Sequence, residues 1–328
     1  MQFGLRIPSI AWPNLTYERT QALKTYCQKV EALGFDAIWV IDHYLPTPVL
    51  YSVSWLDPLQ ALTFAAGCTE RIKLGTAILV LPYREPILLA KQIATLDYLS
   101  GGRFLFGVGT GWDPDEFRAL GVRLEDRGVR TDEVLDVVLR LLSEKNVTHR
   151  GKFFQFENVT IEPMPPRRPP LWVAGGAVTH APGAPEKPYI ARGVLRRIMK
   201  ADAWIARSSG SAEEDVRNDW EQIQTQAQSI GRDPSSILFA HTQFLHIVDT
   251  TDREKAYTRQ REVFQQIFGT HRSFDDLKAS YLTGTVDDMV ARLDGLRKIG
   301  LQYTILNPVT DEVDQLDLIH KHLVTALR

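Results

Sequence analysis

The sequence GFDAIWVIDH at residues 34–43 contains the pattern on which the fold assignment depends. Gly34 ends a stretch of helical period that begins at about Tyr17 and runs to Leu33, and glycine is the common residue just past a helix end. Ala37 to Ile41 is a short apolar run rich in β-branched residues, typical of a strand buried on both faces. Two polar residues, Asp42 and His43, then follow this strand. A helix, a buried strand and a polar strand end form the repeating unit of a parallel α/β fold.

The same alternation of short apolar runs and helical stretches extends along the chain on both sides of this segment. The other predicted strands are Gln2 to Pro8, Ile72 to Leu79, Arg103 to Val108, Leu171 to Ala174, Ala203 to Ala206, Ile237 to Val248 and Gln302 to Leu306. Predicted helices between them include Pro58 to Cys68, Pro86 to Leu99, Thr131 to Ser143, Ala212 to Ile230, Thr285 to Ile299 and Glu312 to Leu327. Eight strands that alternate with helices predict one closed (β/α)8 TIM barrel over residues 1–328.

Three segments do not fit the simple repeat. Residues 147–164 carry three clustered phenylalanines before a proline-rich run, so we expect a small hairpin inserted on the barrel rim. Residues 177–194 contain several prolines and are expected to form a second rim insertion. Residues 255–282 begin as a helix and then lose period. Long loops at a barrel mouth are often functional, although a surface connection without function is an equally good interpretation.

Composition excludes several classes of protein. The chain has 328 residues, of which 44% are hydrophobic and 24% charged, and its net charge is −2. These values predict a globular enzyme-sized domain with no nucleic-acid or anionic-membrane partner. Cys27 and Cys68 are not paired in a C-x-x-C motif, the first residues lack the pattern of a signal peptide, and no apolar run approaches membrane-spanning length. We therefore expect a cytoplasmic protein.

Polar and glycine residues follow most of the predicted strands, and in this fold the active site is built from residues at those strand ends. The second strand is followed by Asp42 and His43, our candidate catalytic residues. The candidate ligand-binding residues follow or end other strands: Thr76, Ala77, Ile78, Gly109, Thr110, Gly111, Trp112, Gly175, Gly176, Arg207, Ser208 and Ser209. Because all of these lie at one end of the barrel, we expect them to line one cavity.

Each of these candidates also has a structural interpretation. Asp42 and His43 are equally suited to cap the next segment, and the glycines at 107, 109 and 111 are suited to turns with positive φ. Trp112 occupies the position at which a dinucleotide fingerprint requires glycine, so an NAD-binding domain is not expected. We interpret Arg196 and Arg197 as solvated surface charge rather than as phosphate ligands. No spacing of histidine, cysteine or acidic residues predicts a metal site, since His241 and His246 fall on opposite faces of a strand.

Several motifs resemble those of the luciferase-like monooxygenase superfamily, and the match covers most of the chain in order. They are GFDAIWVIDHY (34–44), IKLGTAI (72–78), ATLDYLSGGR (94–103), GVGTGW (107–112) with Glu116, PLWVAGG (170–176) and ADAWI (201–205). The resemblance implies a cofactor that is either reduced FMN or the deazaflavin F420. The Asp-His pair and the G-x-G-T-G turn are most similar to the F420-dependent branch.

The resemblance also implies roles for individual residues. His43 would lie beside the reactive ring as an acid/base. The strand with Ala77 and Ile78 would contain a non-prolyl cis peptide behind the ring. Gly175 and Gly176 would contact the cofactor phosphate, with Arg207 to Ser209 near its tail.

Three functions remain open on the sequence alone. The first is hydride transfer between F420 and a small organic substrate, with His43 handling the accompanying proton. The second is a two-component monooxygenase that receives reduced FMN from a separate reductase and uses O2. The third is a barrel that binds flavin without turnover, since a fold does not fix a function. We also expect a homodimer.

Overall fold

The computed structural model describes residues 1–7, 19–46, 55–177, 188–206, 212–269 and 272–328. Its strands are β1 (Gln2–Arg6), β2 (Ala37–Val40), β3 (Lys73–Thr76), β4 (Leu79–Val80), β5 (Phe104–Gly109), β6 (Val147–Arg150), β7 (Gln155–Val159), β8 (Leu171–Ala174), β9 (Ala203–Ala206), β10 (Leu238–Leu245) and β11 (Tyr303–Pro308). Most bounds lie within a residue or two of those expected from the apolar runs, because burial on both faces makes these strands continuously apolar.

Helices follow the barrel strands and cover the outside of the sheet. They are α1 (Arg19–Ala32), α2 (Pro58–Cys68), α3 (Pro86–Ser100), α4 (Pro114–Ala119), α5 (Arg127–Leu141), α6 (Arg192–Ile198), α7 (Glu213–Ser229), α8 (Arg253–Phe268), α9 (Phe274–Ser280), α10 (Val286–Lys298), α11 (Asp314–Ile319) and α12 (Thr325–Leu327), with a π-helical turn (His320–Val324) between the last two. None of the helices in the described ranges is both long and apolar enough to cross a bilayer.

Eight parallel strands close into a barrel. Their order around the ring is β1, β2, β3, β5, β8, β9, β10 and β11, and β11 pairs again with β1. The β3–β5 pairing, with Leu74 opposite Phe104, closes the remaining gap. The predicted (β/α)8 barrel is therefore confirmed.

The third barrel strand is interrupted where the sequence suggested a continuous run from Ile72 to Leu79. The strand ends at Thr76 and resumes as the short β4, which pairs with β5. Between the two segments, the peptide bond joining Ala77 to Ile78 is cis. The cis peptide implied by the family resemblance is thus present.

Aromatic side chains fill the interior of the barrel. Trp39 from β2 is fully buried, donates a hydrogen bond from Nε1 to the hydroxyl of Tyr303 at 3.1 Å, and lies with its ring 4.9 Å from that of Trp172. Gly4 and Gly75 flank this indole, and a Cβ at either position would come within 2.5 Å of it. Glycine at both positions therefore makes room for Trp39, which closes the barrel below its mouth.

A two-stranded antiparallel sheet, β6 with β7, forms an insertion on the rim. Glu133 of α5 holds this hairpin, because its carboxylate accepts hydrogen bonds from the backbone N–H groups of Lys152, Phe153 and Phe154 and contacts His149 Nε2 at 3.1 Å. Of the second expected insertion, at 177–194, residues 178–187 lie outside the described residues.

The excursion after β10 forms an aromatic cover on one side of the mouth. The rings of Phe244, Phe264, Phe268 and Tyr281 pack against one another with centroids 4.9–6.1 Å apart. They come from β10, from α8 and from the residue after α9, so the segment that loses helical period in the sequence forms a second small core of its own.

Candidate active site

A cavity of about 790 Å³ opens at the C-terminal ends of the barrel strands. Residues at the ends of six strands line it, together with residues from α4 to α6 and the segments next to them. The candidate residues that line it are Asp42, His43, Ala77, Ile78, Gly109, Thr110, Gly111, Trp112, Gly175 and Gly176. The structure thus brings together ten of the fourteen residues chosen from the sequence. Arg207, Ser208 and Ser209 lie outside the described residues.

Thr76 is the one described candidate that does not line the cavity. It is fully buried, and its Oγ1 donates a hydrogen bond to the carbonyl of Gly107 at 2.6 Å and accepts one from the N–H of Gly107 at 3.0 Å. A Cβ at Gly107 would lie 1.8 Å from the carbonyl oxygen of Thr76. Thr76 and Gly107 therefore fasten β3 to β5 at very close range, which is a structural role.

The glycine-rich turn after β5 is also shaped by close packing. A Cβ at Gly109 would come within 2.6 Å of the Ile78 side chain, and Gly111 has φ +68° with Val80 2.5 Å from its ideal Cβ position. These glycines allow the turn to lie against the segment with the cis peptide. Together they leave a smooth backbone wall along the cavity, which suits a flat ring.

Asp42 forms a buried ion pair that joins the ends of two strands. Nη2 of Arg84 donates to both carboxylate oxygens at 2.7 Å, and the N–H of Val80 donates to Oδ2 at 2.9 Å. Burial raises the pKa of Asp42 despite these donors. Burial also has the largest effect on Arg84 and lowers its pKa, but the charge and hydrogen bonds of Asp42, together with Tyr44 and Asp57, raise the pKa of Arg84 above its ordinary value. The short bidentate contact favours the charged pair. Asp42 therefore holds the segment before His43 in place.

His43 is bonded instead to Glu116 of α4. Nδ1 of His43 lies 3.1 Å from Oε1 of Glu116, and the same oxygen accepts hydrogen bonds from the N–H groups of Tyr44 at 2.7 Å and Leu45 at 3.1 Å. The hydroxyl of Tyr83 donates to the other oxygen at 3.2 Å. One carboxylate, only 1% exposed, thus binds the imidazole and the loop that carries it.

The contacts of Glu116 set its charge. Burial alone would raise the pKa of this carboxyl, but the hydrogen bond and charge of His43 and the N–H groups of Leu45 and Tyr44 outweigh burial and hold the pKa below its ordinary value. Glu116 is therefore ionised at neutral pH. An ionised carboxylate favours the imidazole tautomer with its proton on Nδ1, which leaves the lone pair on Nε2.

Two aromatic rings border the imidazole of His43. The ring of Trp55 lies 5.0 Å from it and that of Trp112 lies 6.0 Å from it, in an edge-to-face arrangement. Trp112 is one of the large hydrophobic residues that remain exposed, and it lines the cavity. His43 therefore lies between aromatic walls.

The glycine pair after β8 lines the cavity and includes a backbone N–H without a partner in the described part of the chain. The N–H of Gly175 donates to the carbonyl of Ile205 at 3.3 Å, and the N–H of Ala177 donates to the carboxylate of Asp219 at 3.1 Å. Between them, the N–H of Gly176 has no partner among the described residues. Gly176 lines the cavity, so its amide can bind an anion there.

The interpretation of Arg197 as solvated surface charge is wrong. Its side chain is 7% exposed, Nη1 forms an ion pair with Asp132 at 2.7 Å, and the residue lines the cavity. Arg196 is 63% exposed and binds the same carboxylate at 2.5 Å, so two guanidinium groups share one carboxylate. Adjacent residues on a helix point in different directions, and only one of the pair points inward. The resulting positive charge, with the amide of Gly176, fits a phosphate group.

His43, Glu116 and Asp113 form a compact group whose potential ligand atoms lie within 4.8 Å of one another. Sequence spacing does not predict this group, because His43 is distant in the chain from the other two residues. Glu116 already accepts hydrogen bonds at both oxygens, and Asp113 accepts one from the N–H of Asp115 as the cap of α4. These contacts assign the group to hydrogen bonding.

The partner of His43 is not evident from the sequence. Glu116 stands there only as part of a family motif, and no helix is expected over the residues of α4, which positions it. The sequence does indicate where this helix begins, since Asp113 is a residue type that caps helices and Pro114 follows it in the first turn. Arg84 and Tyr83 were also missed, because only the fold brings them to the site.

Comparison with known proteins identifies a family and several relatives of this chain. The family model described as luciferase-like monooxygenase matches residues 1–186. The chain is 27% identical over 283 residues to the 4-hydroxyprotoasukamycin monooxygenase of Streptomyces nodosus subsp. asukaensis, which covers 80% of this chain and 72% of that protein. It is 25% identical to the 5,10-methylenetetrahydromethanopterin reductase of Archaeoglobus fulgidus over the full length of both. Other matches are partial: an uncharacterized protein of Sinorhizobium fredii is 32% identical over 44% of this chain and only 40% of its own length.

Solved structures support the fold. The monooxygenase RslO1 from Streptomyces bottropensis superposes with a TM-score of 0.82 at 21% identity and covers 100% of both chains. An F420-dependent secondary alcohol dehydrogenase, solved with an F420-acetone adduct, gives 0.81 at 20% identity and covers 100% of this chain and 99% of its own. The family model covers more than half of the 328 residues. The chain therefore belongs to the luciferase-like monooxygenase family, whose members are oxidoreductases.

Proposed function

We propose that this protein transfers a hydride between the deazaflavin F420 and a small organic substrate. The observation that supports this most directly is the contact between His43 and the ionised Glu116 at the wall of the cavity. An imidazole held by a carboxylate is suited to exchange a proton, and a hydride transfer to or from a carbonyl or alcohol carbon requires one. Relatives named for F420 use, such as F420-dependent glucose-6-phosphate dehydrogenases, support this proposal.

The cavity fits such a cofactor. Ile78 and the backbone from Gly109 to Trp112 would hold the ring, and the amide of Gly176 with Arg197 would hold the phosphate. When bound, F420 supplies or accepts the hydride. The protein's own task is to position the substrate carbon, to exclude water and to handle the proton.

His43 would move that proton. With Nδ1 donating to Glu116, Nε2 accepts a proton from an alcohol or, once charged, returns one to a carbonyl oxygen. Glu116 stabilises the imidazolium that forms, and Asp42 with Arg84 keeps the segment before His43 fixed. Trp55 and Trp112 exclude water from the two sides of the imidazole that they border.

A second candidate is an FMN-dependent monooxygenase that receives reduced flavin from a separate reductase. The 4-hydroxyprotoasukamycin monooxygenase, which matches 80% of this chain, favours it. The same cavity would serve, since FMN also combines a flat ring with a phosphate. A barrel that binds flavin without turnover is the third candidate, and the proton-handling pair of His43 and Glu116 argues against it.

Equilibrium binding separates the two cofactors. Purified protein would be titrated with F420, FMN and anaerobically reduced FMN, and bound cofactor followed by fluorescence or absorbance. Tight binding of F420 and weak binding of both FMN forms supports the proposal. Preference for reduced FMN supports the monooxygenase, and no binding of any of the three rejects both.

We also propose that the protein forms a homodimer. Three large apolar side chains on α3 are exposed, Leu88 at 57%, Tyr98 at 72% and Leu99 at 56%. Exposed apolar residues clustered on one element favour an interface. Sedimentation of Leu99→Glu beside wild type tests this: a dimer that becomes a monomer supports the proposal, and a monomeric wild type rejects it.

A further inference from the structure

The two oxygens of Glu116 have unequal sets of partners. Oε1 binds His43 and the N–H groups of Tyr44 and Leu45, whereas Oε2 binds one group in the described part of the chain, the hydroxyl of Tyr83 at 3.2 Å. Glu116 is almost completely buried, so water does not readily replace a missing donor. Tyr83 therefore helps to set the orientation of this carboxylate and adds to the donors that favour its charged form.

Tyr83 is itself firmly held. It ends a short 3₁₀ turn, Leu81–Tyr83, and the residues on both sides of this turn, Val80 and Arg84, are bound by Asp42. Its ring packs edge-to-face on Phe117 at 4.8 Å and on Tyr44 at 5.8 Å. The hydroxyl is thus fixed in position before any ligand binds.

We propose that Tyr83 is a positioning residue, which keeps Glu116 ionised and aligned so that Glu116 can hold His43 in its proton-transferring tautomer. This inference rests on the proposed function of His43. It assigns a mechanistic role to the ion pair of Asp42 and Arg84 as well, because that pair fixes the turn that places Tyr83.

The charges around Tyr83 keep its hydroxyl a donor. Burial raises the pKa of the phenol, and the carboxylates of Glu116, Asp113 and Asp42 raise it further, so the proton stays on oxygen throughout the working pH range. The other ionisable groups close to the Glu116 carboxylate are His43 and Tyr44, whereas Arg84 binds Asp42. Among these neighbours, Tyr83 alone donates to Oε2.

If Tyr83 acted only through the packing of its ring, removing its hydroxyl would not change the titration of Glu116. Tyr83→Phe keeps the ring and its contacts with Phe117 and Tyr44 but removes the donor. Tyr44→Phe is a matched control, since it removes a hydroxyl from the neighbouring ring that makes no hydrogen bond within the described residues. Both variants retain the N–H groups that bind Oε1.

The experiment follows the Glu116 carboxyl carbon by NMR in protein labelled with 13C at the glutamate carboxyl, with the signal assigned by its loss in Glu116→Gln. In Tyr83→Phe the titration midpoint of Glu116 should rise by about one pH unit, the size expected for one lost hydrogen bond to a charged group. Tyr44→Phe should leave it unchanged. A midpoint in Tyr83→Phe equal to that of wild type overturns the inference.

A second substitution covers the case in which Tyr83→Phe does not fold. 3-Fluorotyrosine at position 83 keeps the ring and gives a more acidic, stronger donor, so the Glu116 midpoint should fall. An unchanged or raised midpoint overturns the inference.

The pH profile of single turnover with bound cofactor separates this inference from the proposed function. If Tyr83→Phe raises the titration midpoint of Glu116 and also raises, by a similar amount, the pH below which turnover is lost, the result supports both the inference and the proposed function. A shifted midpoint in a protein with no turnover of any tested substrate supports the contact of Tyr83 with Glu116 and counts against the proposed function. A shifted midpoint with an unmoved acid limb in an active enzyme overturns the mechanistic role of Tyr83.

Discussion

Nδ1 of His43 lies 3.1 Å from Oε1 of Glu116, although 73 residues separate the two in the sequence. The same oxygen also accepts the N–H groups of Tyr44 and Leu45, so Glu116 fixes both the side chain and the backbone of the segment after β2. An imidazole held this way has a defined orientation and a defined tautomer before a substrate arrives.

Replacing His43 should affect turnover far more than cofactor affinity. In His43→Ala, and nearly as much in His43→Gln, the single-turnover rate should fall by roughly 100-fold or more, because neither side chain can carry a proton at neutral pH. Cofactor affinity should change little, since the ring and phosphate contacts come from other residues. If His43 only anchors its loop, the folded fraction should decrease while the rate per folded molecule stays at the wild-type level. That result would remove His43 from the mechanism.

Glu116 should make the stability of the fold depend on pH in the acidic range. Its pKa in the folded protein is below its ordinary value of 4.5, so the ionised group stabilises the fold at pH above that value, and this contribution is lost as pH falls through the lower folded-state pKa. Glu116→Gln should therefore be less stable than wild type at pH 7, and the difference should shrink as the pH is lowered below 4.5. Urea unfolding of both proteins at a series of pH values measures this. A difference that does not vary with pH would show that the charge of Glu116 is not what stabilises the loop.

The sequence predicted the barrel because burial of parallel strands leaves apolar runs that can be read directly, such as those of β2 and β8. It also predicted the region of the site, since the C-terminal ends of all the parallel strands meet at one face of the barrel. It did not predict which polar groups pair. Asp42 and His43 are adjacent in sequence, but neighbours on an extended chain point in opposite directions, and Asp42 faces Arg84 and Val80.

The other differences have similar causes. Thr76 was placed in the ligand site by its position near a strand end, but a glycine on the adjacent strand brings β5 so close that the Thr76 hydroxyl bonds the backbone of Gly107. The inward orientation of Arg197 depends on how α6 packs, which residue type does not reveal. Tertiary packing thus decides the role of each polar side chain, while the pattern of the strands decides only where such side chains gather.

Thr76→Val should lower stability without affecting cofactor affinity. The substitution keeps the shape of the side chain but removes the two hydrogen bonds with Gly107, so the free energy of unfolding should fall by about 1–3 kcal/mol. Thr225→Val on the exposed face of α7 is the control, expected to stay within about 0.5 kcal/mol of wild type. Chemical denaturation gives the stabilities and fluorescence titration gives the affinity. If Thr76→Val is as stable as wild type but binds the cofactor much more weakly, Thr76 belongs to the ligand site and not to the structural contact with Gly107.

Gly176 should contribute to affinity through the cofactor phosphate. Gly176 lines the cavity, its N–H lies between two amides that are already bonded, and Arg197 adds positive charge to the lining of the same cavity. Wild type should therefore bind FMN at least roughly tenfold more tightly than riboflavin, which lacks the phosphate, and bind F420 more tightly than its unphosphorylated ring fragment by a similar factor. Gly176→Val should reduce that ratio toward one, because a branched side chain keeps the phosphate from the amide. Gly67→Val, on the outer helix α2, should keep the wild-type ratio. The ratio of affinities is informative even where the variant loses some stability, since both ligands are measured on the same folded protein. A wild-type ratio near one, or an unchanged ratio in Gly176→Val, would place the phosphate elsewhere.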